Sequence, residues 1–241
     1  MSRLDQAIVA AGLAESRARA QALIEAGVVL VNGVAAKKSS QKVNDDTKIV
    51  ITGNPNPWVS RAALKLDHAL KEFGLSPNKA ICLDVGASTG GFTEVLLANG
   101  ASKVYALDVG HGQLHQRLRD DPRVVNIEGM NAREIPEGLV PTVDWIVTDV
   151  SFISLEKALP VPLSLARKGA ILVALVKPQF EVGRARIGKG GIVRDQEAKT
   201  MARDRIEAFL QAEGWQTTHR GESSIKGGDG NVEYLVAARR I

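Results

Sequence analysis

One cysteine in 241 residues, no apolar run that approaches the length of a membrane span, and little excess charge of either sign set the first limits on this chain. Cys82 sits in the apolar stretch AICLDV, so neither a disulfide framework nor a multi-cysteine zinc site can be assembled, and its place is that of a small core residue. A bilayer span needs ~18 consecutive apolar residues, and a secretory leader needs an apolar stretch behind a basic start. The opening MSRLDQAIVA carries an acid and has neither feature. These absences predict a soluble, cytoplasmic protein with a reduced thiol, no membrane association and no metal site, and they leave the oligomeric state open. What is present is 44% apolar residues, enough for a real core, on a chain longer than the ~100 to 200 residues of a single domain. Two domains or one large α/β domain follow. The net charge of +4 permits a polyanionic partner without requiring one, so the placement of charge decides. Between Leu165 and Arg194 seven basic residues face one acid, Glu181. Within that stretch GRARIGKGG, with Arg184, Arg186 and Lys189, suits either a solvated connection or a contact to a phosphate backbone.

The first fifty or so residues read as their own unit. Leu4, Ala7, Ile8 and Ala11 share one helical face that Gly12 ends, and Ser16 caps a second helix running to Gly27 with Ala20, Leu23 and Ile24 inward. The β-branched run before Asn32-Gly33 predicts a hairpin, and Lys48 to Ile51 a strand that pairs back. So small an α+β module, in which Arg3, Arg17, Arg19, Lys37, Lys38 and Lys42 outnumber the acids, suits docking better than chemistry. RLDQAI followed by SRARAQALIEAGVVLVNGVAAKKSSQKV resembles the S4 RNA-binding module over its whole length. That resemblance implies an RNA face carrying Arg17, Arg19, Lys37 and Lys38, and Arg3 is a further RNA-binding candidate.

TGNPNPW, with two prolines and a glycine, breaks both helix and strand patterns and divides the chain into residues 1–53, a linker at 54–59, and residues 60–241. Beyond it AICLDV, VYALDV, VVNIE, VDWIVTDV and AILVALV alternate with helix-length segments such as Thr93 to Asn99 and Asp195 to Glu213. Continuous apolar strands of this kind suit a doubly wound parallel sheet covered on both faces. WQTTHRGESSI and VEYLVAARR are separated by too few residues for a crossover helix, so the domain ends in an antiparallel hairpin.

DVGASTGGFT leaves the first of these strands at Asp84 and enters a helix near Phe92, so its glycines bring backbone N–H groups toward a ligand at a helix N-terminus. Gly86, Gly90 and Gly91 do not have the G-x-G-x-x-G spacing of a pyrophosphate clamp. A carboxylate at Asp84 repels phosphate and suits the ammonium group of an amino-acid moiety, while Asp108, ending the second strand, is placed to take ribose hydroxyls. Ribose plus amino acid means S-adenosylmethionine. Ser88 joins the glycines in this cofactor site, and Asn131 and Phe152 border the adenine.

For the methyl acceptor, TDVSFIS after the fourth strand departs from the Asn/Asp-Pro-Pro-aromatic pattern that holds a planar nitrogen. A ribose hydroxyl is the other acceptor; it is hard to deprotonate and needs a positioned base in a carboxylate frame. Asp149, Lys177, Lys65 in SRAALKL and Glu233 in GNVEYL are the candidates, although Lys177 and Lys65 also read as surface lysines and Asp149 as a helix cap. SRAALKL, DVGASTGGFTEVLL, TDVSFIS, LVKPQFEVG and GNVEYL resemble the FtsJ-type ribose methyltransferases, whose Lys-Asp-Lys-Glu tetrad would fall on Lys65, Asp149, Lys177 and Glu233. With the S4-like module in front, nearly the whole chain resembles the TlyA, or hemolysin A, family. The resemblance implies a Rossmann-like S-adenosylmethionine-dependent methyltransferase preceded by a small S4-like domain, acting on the cytidine 2′-oxygen of ribosomal RNA or a ribosomal subunit. Only two residues precede Arg3 and the chain stops at Ile241, a brevity similar to that of members restricted to large-subunit rRNA. In the implied mechanism Lys177 is the base, with burial and the neighbouring cation Lys65 favouring its neutral form. Two rival classes stand beside this reading: a noncatalytic RNA- or ribosome-binding protein on a methylase scaffold, and a hemolytic pore former.

Overall fold

The computed structural model describes residues 1–14, 16–44, 46–53 and 57–241, and the chain divides into two units, Met1–Pro57 and Trp58–Ile241. Residues 54–56 of the expected linker lie outside the described residues.

The smaller unit runs β1 (Ser2–Arg3), α1 (Leu4–Ala10), α2 (Arg17–Glu25), β2 (Val29–Val31), β3 (Val34–Ala35), β4 (Lys42–Val43) and β5 (Ile49–Ile51). Local signals explain most of it. Gly12 takes φ of 69° after α1, and Ser16 Oγ accepts the Arg19 N–H at 3.2 Å to start α2. Asn32 and Gly33, at φ of 50° and 83°, make the turn between β2 and β3, and β5 pairs antiparallel with β2. Leu4, Ile8, Ala20, Leu23, Ile24 and Val29 form the centre of its core. Ala11, expected inward, is exposed because α1 ends one residue before it. The β1–β4 pair was not foreseen, since two-residue strands carry no readable period.

The larger unit runs α3 (Ala63–Glu72), β6 (Ile81–Val85), α4 (Gly91–Ala98), β7 (Lys103–Leu107), α5 (Gln116–Arg119), β8 (Val124–Ile127), β9 (Val143–Thr148), α6 (Leu155–Ala158), α7 (Pro160–Ser164), β10 (Ala166–Val176), α8 (Pro178–Glu181), α9 (Gln196–Ala212), β11 (Trp215–Glu222) and β12 (Tyr234–Arg240). Its sheet has the order β11-β12-β10-β9-β6-β7-β8, parallel from β10 to β8, with β12 antiparallel to both β10 and β11. The expected terminal hairpin is therefore present, with β12 as the inserted strand and β11 at the edge. Alternate residues of β10 feed opposite cores: Ile171, Val173 and Leu175 pack on one face, Leu172, Ala174 and Val176 on the other. Both faces are covered, which is why these strands read as unbroken apolar runs. Asp195 caps α9 by accepting the Glu197 N–H at 3.0 Å, and Ala198, Ala202, Ile206 and Leu210 form its buried stripe. Trp58 and Val59, placed in the linker by composition, pack against the core of this unit. Strands β6, β7, β9 and β10 all point their carboxyl ends to one edge of the sheet, where a ligand crevice is expected in an open α/β fold.

Candidate active site

At that edge the chain leaves β6 through a tight turn. Gly86 takes φ of 83° and donates its N–H to the Leu107 carbonyl at 2.8 Å, and a Cβ there would press on the Val150 backbone at 3.2 Å. Gly91 opens α4 against Ser60, whose Oγ would overlap any added Cβ, and that hydroxyl is buried without a hydrogen-bond partner. Asp108 holds the turn from the other side. Its Oδ2 accepts the Ser88 N–H at 2.8 Å and its Oδ1 the Gly110 N–H at 2.7 Å.

A cavity of about 510 Å³ opens beside this turn, and its walls include Gly86, Ser88, Asp108, Asn131, Phe152 and Asp149. Phe152 stands at its rim with φ of 66°, the residue 91% exposed and its ring tilted against Phe180 at 5.3 Å. A smaller space of about 230 Å³ is bounded by Ser60, Gly91 and Phe92 and reaches Asp149 and Lys177. Gly90 is elsewhere: it caps α4 and faces Leu114 and Leu118. Asp84 is fully buried beneath the turn, where its Oδ2 accepts the Thr93 hydroxyl at 2.7 Å and its Oδ1 has no partner. Burial pushes its carboxyl up to about 7, against the opposing Thr93 bond.

The four acceptor-side candidates converge. Lys65 Nζ lies 2.6 Å from Glu233 Oε2 and 3.8 Å from Asp149 Oδ2, and Lys177 Nζ lies 2.6 Å from Asp149 Oδ1. Both lysines are 7% exposed and Glu233 3%. The result is a buried chain of alternating charge, contributed by α3, the carboxyl ends of β9 and β10, and the residue before β12. The Asp149 carboxylate pairs with both lysines and so stands between Lys177 and its expected neighbouring cation, Lys65. Pro178 starts α8 immediately after Lys177, whose extended backbone (φ −108°, ψ 101°) projects the amine from the end of β10.

Several residues that the motifs did not single out complete the site. Ser151 Oγ bonds Lys177 Nζ at 2.7 Å. The Glu128 carboxylate accepts the N–H groups of Gly112, Gln113 and Leu114 at 2.8, 2.9 and 3.1 Å, which fixes the turn that brings Val109 and Gln113 to the cavity and holds the acid down at about 2. Asn231, 2% exposed, donates to the Gly191 carbonyl and accepts the Val193 N–H, both at 2.9 Å. The exposed basic loop of Arg184, Arg186 and Lys189 is thus tied two residues from Glu233. In the smaller unit Lys37 and Lys38 are exposed and Arg19 half-buried, whereas Arg3 and Arg17 are both bonded to Asp5. Among the described residues no three His, Cys, Asp or Glu side chains are grouped to hold a metal, and no helix is long and apolar enough to cross a membrane.

Glu181 gives the site a pH signature. Its Oε1 accepts the Leu155 N–H at 3.0 Å, joining α8 to the segment behind Phe152, and its Oε2 is buried without a partner. Burial raises it from 4.5 to about 7. Between those values the native state keeps a proton that the unfolded chain has released, so the stability from this group is present below pH 4.5 and lost as pH rises through about 7. Asp84 acts with the same sign. Glu181→Gln keeps the acceptor and cannot ionise, so calorimetry from about pH 5 to pH 8 should show a fall in stability smaller than the parent's by on the order of 2–3 kcal/mol. Parallel curves for the two proteins would contradict this.

Sheet order, inserted β12 and a crevice at the carboxyl edge define the class: a Rossmann-like methyltransferase domain joined to a small N-terminal module. The FtsJ-like methyltransferase family profile matches residues 58–240, and the S4 domain profile matches residues 2–49. The chain is 45% identical over 240 residues to the 16S/23S rRNA (cytidine-2′-O)-methyltransferase TlyA of Mycobacterium tuberculosis, covering 99% of this chain and 90% of that protein. It is 40% identical to the 23S rRNA (cytidine-2′-O)-methyltransferase TlyA of Campylobacter jejuni, over 91% of this chain and 92% of that one. A solved structure of a hemolysin-named protein from Streptococcus thermophilus superposes with a TM-score of 0.79 at 40% identity, covering 99% of this chain and 88% of that chain. The chain belongs to the TlyA family of FtsJ-like methyltransferases.

Proposed function

We propose that the protein transfers a methyl group from S-adenosylmethionine to the ribose 2′-oxygen of a cytidine in ribosomal RNA, with the large subunit as substrate. The observation that supports this most is the buried Glu233–Lys65–Asp149–Lys177 chain opening onto the space beside the glycine turn. Both relatives above include 23S rRNA in their names.

The site fits the cofactor. A cavity of about 510 Å³ lies in the range of small-molecule sites, roughly 300–1,000 Å³. Two buried polar atoms beside the turn, Asp84 Oδ1 and Ser60 Oγ, lack partners. Gly86, Ser88 and Gly91 would line the path of the methionine end, above the buried Asp84 and with Gly90 packed behind the turn, Asp108 would take the ribose, and Asn131 and Phe152 would border the adenine. When bound, S-adenosylmethionine supplies an electrophilic methyl group on a sulfonium sulfur. A neutral Lys177 Nζ would accept the proton of the 2′-hydroxyl as that oxygen takes the methyl group. Asp149 and Ser151 aim that amine, and Glu233 holds Lys65 against Asp149. Positioning and exclusion of water from these buried groups supply most of the acceleration. Arg184, Arg186 and Lys189 would meet RNA phosphates beside the site, and the S4-like module would grip RNA through its own basic residues.

The test is transfer of labelled methyl from S-adenosylmethionine to separated ribosomal subunits from cells lacking the protein. Label in large-subunit rRNA is expected; label in small-subunit rRNA alone would overturn the choice of substrate, and none in either would overturn the activity. A narrower prediction concerns Asp108. Asp108→Ala removes the ribose acceptor and frees the Ser88 and Gly110 N–H groups, so calorimetric affinity for S-adenosylmethionine should fall on the order of 10- to 100-fold. Unchanged affinity would displace the cofactor from this cavity.

A further inference from the structure

Among the described residues the smaller unit contains one buried acid, and it lies under a basic surface. Asp5 has no exposed area, yet its carboxylate accepts Arg3 Nε at 3.0 Å and Nη2 at 3.1 Å, Arg17 Nη2 at 3.0 Å, Gln21 Nε2 at 2.9 Å and the Gln6 N–H at 3.0 Å. The guanidinium of Arg3 holds it far below the usual carboxylate range, with Gln21 and Arg17 adding to the effect. Two arginines separated by thirteen residues and one loop thus share a single carboxylate, while their side chains remain 35% and 54% exposed. Other basic residues lie on the backbone segments paired with this one. Arg3 pairs with Lys42 across β1 and β4, and the N–H groups of Leu4 and Asp5 bond the carbonyls of Gln41 and Ser39, in the segment that carries Lys37 and Lys38.

We propose that Asp5 is a positioning residue that holds Arg3 and Arg17 side by side as a preformed pair for RNA phosphates. This rests on the reading that the module binds rRNA. An arginine has five N–H donors, and Asp5 uses two of those on Arg3 and one on Arg17, which leaves donors on both for a phosphate. Two guanidinium groups this close repel one another unless an anion lies between them, and long side chains lose rotamer freedom on binding unless they are already fixed. Asp5 supplies both conditions. A simpler role, pinning α1 to α2, is already served by the Leu4, Ile8, Ala20, Leu23 and Ile24 core.

The experiment is filter binding of the full chain to large-subunit rRNA at several salt concentrations. Asp5→Asn raises the net charge by one, so bulk electrostatics alone predicts equal or tighter binding. The positioning role predicts a dissociation constant about tenfold higher, a salt slope shallower by roughly one to two units, and recovery of most of the affinity in Asp5→Glu. In an Arg3→Ala/Arg17→Ala background Asp5→Asn should change affinity less than twofold, because nothing remains to position. Gln21→Ala removes a bond between α1 and α2 but no cation, and should leave affinity unchanged. Binding by Asp5→Asn as tight as the parent's, the same loss in both backgrounds, or an equal loss in Gln21→Ala would overturn the proposal. If Asp5→Asn does not stay folded, Arg17→Lys carries the test: it keeps the charge and loses the fork, and parent-like binding would again overturn it. Lys37→Ala/Lys38→Ala separates the two levels. If that variant keeps the parent's affinity and slope as well, the RNA-binding reading of the module itself has failed, whereas its loss beside an unaffected Asp5→Asn condemns Asp5 alone.

Discussion

Replacing Lys177 with arginine is expected to leave a folded protein that binds S-adenosylmethionine and rRNA yet transfers methyl at least ~10²-fold more slowly. Arginine keeps a cation at the end of β10 and can pair with Asp149, whose Oδ1 now lies 2.6 Å from the lysine amine. Ground-state charge and the surrounding fold are conserved. What is lost is the capacity to shed a proton, which a guanidinium does not do in a protein. Single-turnover transfer at saturating cofactor isolates the chemical step. Turnover near the parent's would remove Lys177 as the base and leave it an anchor for Asp149.

The second large effect is on stability. Asp149 is the carboxylate between two lysines that are each 7% exposed, and among the described residues it is the one acid within ion-pair distance of Lys177. Asp149→Ala leaves that ammonium buried and facing Lys65, and removing one partner of a buried pair costs about 3–5 kcal/mol. Urea unfolding should show that loss together with abolished methyl transfer. Asp149→Ala/Lys177→Met should regain much of the stability and none of the activity, because the uncompensated charge has gone with the base. A single variant within about 1 kcal/mol of the parent would mean that water reaches these lysines freely.

How much of this could be read from the chain depended on the range of the interaction. Ser16 before α2, Asn32-Gly33 between β2 and β3, and Asp195 before α9 act within a few residues, so residue type alone places them. The apolar runs that became β6 to β10 were equally legible, because a sheet covered on both faces leaves no polar alternation to misread. Lys65 and Glu233, 168 residues apart in the chain, were paired through motif resemblance; no periodicity links them. Asp84 and Asp108 both looked like ligand contacts at strand ends. Side-chain direction separates them, with Asp84 turned inward to Thr93 and Asp108 toward Ser88 and the cavity. Glu128, Ser151 and Glu181 lay outside every motif reading as site residues, because each works through backbone N–H groups or an amine that only the folded chain brings near. Asp5 escaped for the same reason, its partners Arg17 and Gln21 being on another helix.

The central claim is that the methyl group goes to a ribose oxygen, and the position of the label in the product tests it most directly. rRNA methylated by the purified protein with labelled S-adenosylmethionine is hydrolysed in alkali and the fragments are separated. A methylated 2′-oxygen cannot attack the adjacent phosphate, so the label should emerge in an alkali-resistant dinucleotide whose 5′ member is cytidine. Label released in an ordinary mononucleotide would place the methyl on a base and contradict the assignment of Lys65, Asp149, Lys177 and Glu233 to ribose chemistry.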